Sequence, residues 1–223
     1  MTAADGGLHA AAILFDLDGV LVDSGSTVDR SWQGWARRHG LDPALVLASC
    51  HGRPTAETIA ALAPHLDPAA EAVTLEKEQA EDTADLRPCP GAAALLAQLP
   101  GDSWAVVTSG SRALAVSRLG HVGLPVPAVL VTADDVARGK PDPEGYRAGA
   151  RGLGLDPRDC VVIEDASSGV RAARAAGCRV VGVRGPVLGP TSDLDALVDN
   201  LAGLAVTPAA SGLVLHLREA VDG

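Results

Sequence analysis

The chain has 223 residues, of which 47% are hydrophobic and 21% are charged. This composition excludes an intrinsically disordered protein, and the length suits one large domain or one domain with a sizeable insertion. Acidic residues outnumber basic ones by 28 to 18, and the formal net charge is −10. No apolar run approaches the roughly 18–20 residues of a membrane span. We therefore expect no nucleic-acid partner and no membrane partner.

The cysteines and the N-terminus indicate the compartment. Cys50, Cys89, Cys160 and Cys178 are widely spread, without a C-x-x-C pair. This spacing argues against a disulfide framework or a zinc site. The first nine residues lack the basic region that opens a secretory signal peptide. We expect a cytoplasmic protein and, because no large apolar stretch is left to be exposed, a monomer.

Short apolar runs closed by turn residues predict buried strands. In chain order, these runs cover residues 10–15, 104–107, 128–131, 160–163 and 179–183. Helical patterns separate them at 90–99, 111–119, 143–153 and 167–176. This alternation predicts an α/β fold, with a parallel sheet and right-handed crossovers. Two further short runs in 203–217 favour a small hairpin at the C-terminus.

Residues 24–86 differ from the rest of the chain. They contain no strand-like run and are rich in Ala, Leu, Glu and Arg. Helices are predicted at 26–39, 43–49, 55–63 and 68–84. We interpret this segment as a helical domain inserted after the first strand, with linkers at 20–24 and 86–91. The core domain then comprises residues 1–23 and 87–223.

Polar residues follow several of the predicted strands. They are Asp16 and Asp18 after the first strand, Thr108 and Ser109 after the second, Lys140 in the loop after the third, and Glu164 and Asp165 after the fourth. In open α/β sheets, ligands bind outside the carboxyl ends of the strands. We therefore expect these groups to converge on one crevice.

The chemistry of these residue types points to phosphoryl transfer. Of the two aspartates that follow the first strand, one can act as nucleophile and the other as acid and base. Several carboxylates in a small space are costly without a divalent cation, and hard oxygen ligands suit Mg²⁺. Lys140, Thr108 and the backbone N–H groups after Thr108 can hold a phosphoryl group and its developing charge.

Four segments, taken in order, resemble the haloacid dehalogenase-like phosphohydrolases: Phe15–Ser24, Thr108–Ser111, Arg138–Pro143 and Ile163–Gly169. The segment 24–86 resembles the helical cap of the phosphoglycolate phosphatase and β-phosphoglucomutase branch. Within it, Trp35–Gly40 and His51–Gly52, together with Val131–Lys140 of the core, resemble small bacterial sugar phosphatases. The resemblance implies a Rossmann-like three-layer parallel sheet core with an inserted all-helical cap domain.

The same resemblance implies a mechanism. Asp16 attacks phosphorus and forms an aspartyl-phosphate, while Asp18 protonates the leaving alkoxide and later deprotonates water. Mg²⁺ is held by the Asp16 carboxylate, the Asp18 backbone carbonyl and Asp165, with Glu164 as a direct or water-mediated ligand. The phosphoryl oxygens are held by Thr108, Lys140 and the backbone amides of Ser109 and Gly110. Many relatives carry Gly-Asp-x-x-x-Asp as the last motif, whereas this chain has Glu164-Asp165.

Two residues of the helical segment are candidates for substrate binding. His51 and Arg53 lie in its middle, where related enzymes place a specificity loop. Arg53 either binds substrate hydroxyls or phosphate or is a solvated surface charge, and His51 is either a substrate contact or a structural residue. Trp32 and Trp35, three residues apart on the first helix of the segment, are expected in its core.

The resemblance implies a Mg²⁺-dependent phosphomonoesterase whose partner is a small phosphorylated metabolite such as a sugar, polyol or glycerol phosphate. The alternative is a β-phosphoglucomutase-like phosphosugar mutase. Mutases of this branch carry a His ten residues after the second motif Asp, and Val28 at that position disfavours the alternative. Phosphonate hydrolysis is also disfavoured, because Lys77, the lysine of the helical segment, lies at the wrong end of it.

Overall fold

The computed structural model describes residues 7–189, 193–210 and 212–217. In chain order its strands are β1 (Leu8–Ala10), β2 (Ala12–Phe15), β3 (Val22–Asp23), β4 (Arg87–Pro88), β5 (Trp104–Val107), β6 (Leu130–Val131), β7 (Cys160–Glu164), β8 (Arg179–Val183), β9 (Ala196–Val198), β10 (Leu204–Ala209) and β11 (Gly212–Leu217). Its α-helices are α1 (Gly25–Arg38), α2 (Pro43–Cys50), α3 (Thr55–Leu62), α4 (Pro68–Glu81), α5 (Ala92–Leu96), α6 (Arg112–His121), α7 (Glu144–Gly152) and α8 (Ser167–Ala176).

A six-stranded parallel sheet forms the centre of the molecule. Its strand order is β6-β5-β2-β7-β8-β9, and every neighbouring pair is parallel. β2 lies between β5 and β7, so that Phe15 is in register with Val106 on one side and Ile163 on the other. The predicted α/β fold is therefore confirmed, and the carboxyl ends of β2, β5 and β7 share one edge.

Alternating side chains of the central strand enter two separate cores. Ile13 and Phe15 pack with residues of α5 and α6 and with strands β10 and β11. Ala12 and Leu14 point to the opposite face and pack with residues of α7 and α8. This period-two alternation of buried side chains is what a sheet covered by helices on both faces requires. The three-layer arrangement of the core is confirmed.

The structure differs from the predicted elements at the sheet margins. The run 10–15 is divided at Ala11, because Leu8–Ala10 pairs with β11 in a separate antiparallel sheet of order β1-β11-β10. The strand predicted at 128–131 is shorter in the structure, where it covers Leu130–Val131. β9 was not predicted, since this edge strand buries only Val198 and has a weak apolar signal. The expected C-terminal hairpin is present as β10 and β11.

The helices α1–α4 form a unit that we call the helical insertion. Their ends lie within three residues of the predicted ranges. Trp32 and Trp35 are buried in its own apolar cluster, with ring centroids 5.5 Å apart at 81°. β3 and β4 pair antiparallel at its base, with Asp23 opposite Arg87. The pair lies within the predicted linkers, and the domain limits at residues 24 and 86 remain predictions.

Two observations concern the environment of the chain. All four cysteines are free, and three of them are buried. Across the described ranges, no helix is both long enough and apolar enough to cross a lipid bilayer.

Candidate active site

The predicted site residues meet at the carboxyl edge of the central sheet. Asp16 follows β2 directly, and its backbone N–H donates to the carbonyl of Ile163 at 3.0 Å. Thr108 follows β5, and its N–H donates to the carbonyl of Val131 at 2.9 Å. These bonds extend the sheet ladder one residue beyond each strand. The positions of both side chains are therefore set by the rigid sheet.

Lys140 is buried between two carboxylates. Its ammonium contacts Oδ1 of Asp16 and Oε1 of Glu164, the latter at 2.6 Å. Burial alone lowers the pKa of Lys140, but the two facing carboxylates raise it above the usual value, so the side chain is charged. Lys140 therefore neutralises part of the negative charge around the expected nucleophile.

Glu164 is fully buried and held by three donors. Besides Lys140, the hydroxyl of Tyr146 donates to its Oε1 at 2.8 Å, and the N–H of Ala166 donates to its Oε2 at 2.9 Å. A side chain at Gly169 would occupy the space of this carboxylate, which explains the glycine there. Sequence reasoning missed Tyr146, although a buried tyrosine needs a partner for its hydroxyl.

Carboxylates crowd the edge of the sheet beside Lys140. Asp16, Glu164 and Asp165 each offer an oxygen, and these oxygens lie within 4.8 Å of one another. Burial raises the pKa of Asp16 to about 7, and the charges of Glu164 and Asp18 add to this effect while Lys140 opposes it. Burial, followed by the charges of Glu164 and Asp16, also raises the pKa of Asp165. This donor set fits a hard divalent cation, because such an ion offsets the carboxylate repulsion.

Gly19 allows Asp165 to approach the first motif. A Cβ atom at Gly19 would overlap the Asp165 carboxylate, and the φ angle of Gly19 is 84°. Both the left-handed backbone and the lack of a side chain are thus required at this position.

Asp18 is held by a side chain that the sequence analysis did not identify. Its Oδ1 accepts a hydrogen bond from Ser24 at 2.7 Å and lies 2.6 Å from Nη1 of Arg118. Arg118 lies on α6 and also donates to Gln79 of α4 at 2.9 Å. Helical spacing could have drawn attention to Arg118 in the sequence, because Arg118 lies on the buried face of α6 together with Leu114 and Ala115.

The turn after β5 presents Thr108, Ser109 and Gly110 to the same crevice. The N–H of Gly110 donates to Oγ1 of Thr108 at 3.2 Å, and Ser109 Oγ donates to the carbonyl of Gly52 at 3.4 Å. Ser168 also donates to the Gly52 carbonyl, at 2.7 Å. The loop of the helical insertion is thus anchored to two core motifs.

The helical insertion covers a cavity of about 550 Å³ above these residues. His51 and Arg53 both line it, as the sequence analysis expected. His51 Nε2 lies 3.2 Å from Oδ1 of Asp29, another lining residue, whereas Arg53 is exposed. Their roles in substrate binding remain predictions. Val28 also lines the cavity.

Comparisons with known proteins identify the family. The model of the haloacid dehalogenase-like hydrolases matches residues 10–177. The chain belongs to the haloacid dehalogenase-like hydrolases. It is 44% identical to hexitol phosphatase A of Escherichia coli over 214 residues, which cover 93% of this chain and 99% of that protein. It is 35% identical to glycerol-1-phosphate phosphohydrolase 2 of Saccharomyces cerevisiae over 208 residues, covering 86% and 80%.

A solved structure in this family shares the architecture. CbbY from Rhodobacter sphaeroides in complex with phosphate matches with a TM-score of 0.76 and 26% identity, covering 86% of this chain and 95% of that one. The predicted resemblance to phosphatases of this family is therefore confirmed, and the chain is a hydrolase.

Proposed function

We propose that this haloacid dehalogenase-like hydrolase is a Mg²⁺-dependent phosphatase that removes phosphate from small polyol and sugar phosphates. One observation carries the proposal: Asp16, Asp18, Thr108 and Lys140 meet beneath a covered cavity of about 550 Å³. This volume is typical of a small-molecule site. The helical insertion over the cavity limits the access of water to the reacting groups.

Two aspartates perform the proposed chemistry. An Asp16 carboxylate oxygen bonds to phosphorus while the bond between phosphorus and the substrate oxygen breaks, and Asp18 gives its proton to that oxygen. Asp18 then takes a proton from water, which attacks the aspartyl-phosphate and regenerates Asp16. Lys140 and Thr108 hold the phosphoryl oxygens, together with the backbone amides of Ser109 and Gly110.

Asp16 and Asp165, with the backbone carbonyl of Asp18, are proposed to hold Mg²⁺. Glu164 is close enough to join them, but its three hydrogen-bond donors favour contact through water. When bound, the cation neutralises charge on the phosphoryl oxygens. The crowding of buried carboxylates with raised pKa values supports this assignment.

We expect the stability of the metal-free protein to fall as the pH rises from about 4 to about 7. Over this range the folded protein retains protons on Asp16 and Asp165 that the unfolded chain has lost, because burial raises their pKa values. Mg²⁺ binds the ionised carboxylates, so it should stabilise the protein at pH 8 and much less at pH 5. At a hundredfold excess over its Kd, the gain at pH 8 is about 2.7 kcal/mol.

Thermal unfolding in EDTA and in Mg²⁺ at both pH values measures this effect. Asp165→Asn should raise the metal-free melting temperature at pH 8 and remove most of the Mg²⁺ response. Asp156→Asn, a surface control that breaks the ion pair with Arg158, should keep the full response. An Mg²⁺ response that is equal at pH 5 and pH 8 contradicts the assignment.

The substrate class follows from the relatives and from the cavity. A hexitol phosphatase and a glycerol-1-phosphate phosphohydrolase are both relatives, and the substrates in their names share an acyclic polyol chain. Asp23 and Asp29 line the cavity, where carboxylates can accept hydrogen bonds from substrate hydroxyls. We therefore place polyol phosphates first and cyclic sugar phosphates second.

The four free cysteines support a cytoplasmic location.

A panel of phosphate esters tests the proposal. Hexitol phosphates, glycerol phosphate, hexose phosphates, phosphoglycolate and 5′-nucleotides are compared by kcat/KM for phosphate release, with Mg²⁺ and with EDTA. We expect the highest values for hexitol phosphates or glycerol phosphate and none without a divalent cation. Preference for phosphoglycolate or nucleotides overturns the substrate class. Conversion of β-glucose 1-phosphate to glucose 6-phosphate without phosphate release favours the mutase instead.

A further inference from the structure

Arg118 is a buried cation outside the segments that hold the phosphoryl group. Its side chain is only 2% exposed, and Nη1 lies 2.6 Å from Oδ1 of Asp18. Nη2 donates to Oε1 of Gln79 at 2.9 Å, while Nε is buried with no partner in the part of the chain that the structure describes. A buried ion pair is seldom retained for stability alone, because an apolar side chain of similar volume is often as stabilising. Its position at the cavity suggests a functional role.

We propose that Arg118 is the positioning residue for Asp18, and that Gln79 links this function to the helical insertion. The inference rests on the proposed phosphatase function, in which Asp18 transfers protons. It assigns to Arg118 no contact with the phosphoryl group. Arg118 acts by fixing where the Asp18 carboxylate points.

The geometry around Asp18 supports this role. Ser24 and Arg118 approach the same oxygen, Oδ1, so Oδ2 is the oxygen left to face the substrate. One hydrogen bond from Ser24 lets a carboxylate swing about its own axis. A second, charged contact on the same atom restricts that motion, and charge-assisted contacts are roughly twice as strong as neutral ones. Proton transfer requires such fixed geometry.

The contact with Gln79 connects Asp18 to the insertion. Gln79 is 3% exposed and lies on α4, whereas Arg118 lies on the core helix α6. Nearby, Glu76 of α4 accepts a hydrogen bond from the N–H of Ser111 at 3.2 Å. Separation of α4 from α6 therefore removes one of the partners that orient Arg118. Asp18 is therefore held in its observed place when α4 is docked against α6 and the insertion covers the cavity.

The dependence of the rate on the leaving group tests the proposal. Alkyl leaving groups need a proton from Asp18, whereas nitrophenolate leaves without one. We expect Arg118→Gln to lower kcat by about 100-fold for a polyol phosphate and by less than about fivefold for p-nitrophenyl phosphate, with KM nearly unchanged, because proton transfer contributes about 10²- to 10⁴-fold. Arg118→Lys, which keeps a cation near Asp18, should restore part of the loss.

Matched controls separate positioning from general damage. Arg112→Gln removes another arginine of the same helix, which pairs with Asp135 away from the cavity, and should leave both rates unchanged. Gln79→Leu should show a weaker form of the same selective loss. Glu78→Gln, which changes a partly exposed neighbour on α4 that pairs with Arg38, should not cause this selective loss.

The outcomes also distinguish this inference from the proposed function. If the wild-type protein does not hydrolyse polyol phosphates, the substrate assignment fails. The positioning role can still be tested with a series of aryl phosphates whose leaving groups differ in pKa, by measuring whether Arg118→Gln makes the rate depend more steeply on that pKa. Equal losses for good and poor leaving groups, or a raised KM alone, overturn the positioning role.

A stability measurement provides a readout that needs no turnover. Arg118→Gln and Asp18→Asn are compared, singly and together, by urea denaturation. We expect the double variant to lose less stability than the sum of the losses in the two single variants, because removing both partners leaves no unpaired charge. Its urea midpoint should therefore be higher than additivity predicts. Strict additivity means that the two side chains do not interact, and it would falsify the inference.

Discussion

Asp16→Asn is expected to reduce phosphatase activity by about 10⁴-fold or more, a loss typical of removing a catalytic nucleophile. The amide keeps the shape of the carboxylate, but it has no oxygen able to form an aspartyl-phosphate. The substitution should leave the protein folded. Burial already raises the pKa of Asp16 to about 7, so the site tolerates a neutral group, and Lys140 keeps its contact with Glu164.

Activity and covalent labelling together test this expectation. Phosphate release is measured for the best substrate of the panel, and Asp156→Asn serves as a surface control because Asp156 pairs with Arg158 away from the cavity. Acid quenching followed by peptide mass spectrometry should find a phosphoryl adduct on Asp16 in Asp18→Asn turning over p-nitrophenyl phosphate. A rate above a tenth of wild type in Asp16→Asn, or an adduct on another residue, contradicts the assignment of the nucleophile.

The assembly of the core motifs could be predicted because each functional side chain follows a strand. The carboxyl ends of β2, β5 and β7 share one edge, so Asp16, Thr108 and Asp165 are brought together although they are far apart in the chain. Strand position depends on short apolar runs, which a sequence displays directly. The roles of these residues came from the family resemblance and remain proposals.

The contacts between helices could not be predicted in the same way. Arg118 and Gln79 are separated by 39 positions, and their meeting depends on how α6 docks against α4. Helical spacing shows which side of each helix is buried, but it does not show which helix lies opposite. The same holds for Tyr146, whose hydroxyl reaches Glu164 only after α7 has packed on the sheet. Polar partners between elements are therefore the part of the site that needed a structure.

Lys140→Met is expected to lower the free energy of unfolding by about 3–5 kcal/mol, the usual cost of breaking a buried ion pair from one side. The methionine fills a similar volume but leaves the carboxylates of Asp16 and Glu164 facing each other without a cation. Because Glu164 is fully buried, water cannot solvate its unpaired carboxylate. The loss of stability therefore arises mainly from the carboxylates of Asp16 and Glu164. Activity should also fall, because the phosphoryl oxygens lose a positive partner.

The chain supplies a matched control, since its other lysine is Lys77. Lys77 is 75% exposed and lies 4.0 Å from Glu81, so Lys77→Met should change stability by no more than about 0.5 kcal/mol. Both variants are measured by urea denaturation in EDTA, at pH 5 and at pH 8. The effect of Lys140→Met should be larger at pH 8, because Asp16, with a pKa of about 7, is mostly protonated at pH 5.

Adding Glu164→Gln to Lys140→Met distinguishes charge from packing. If the loss arises from unpaired carboxylates, the second substitution removes one of them and should recover part of the stability at pH 8. If the loss arises from the shape of the cavity around Lys140, the second substitution adds its own cost, and stability falls further. Recovery supports a site in which Lys140 compensates the charge of a buried acidic cluster; a further fall assigns Lys140 to packing.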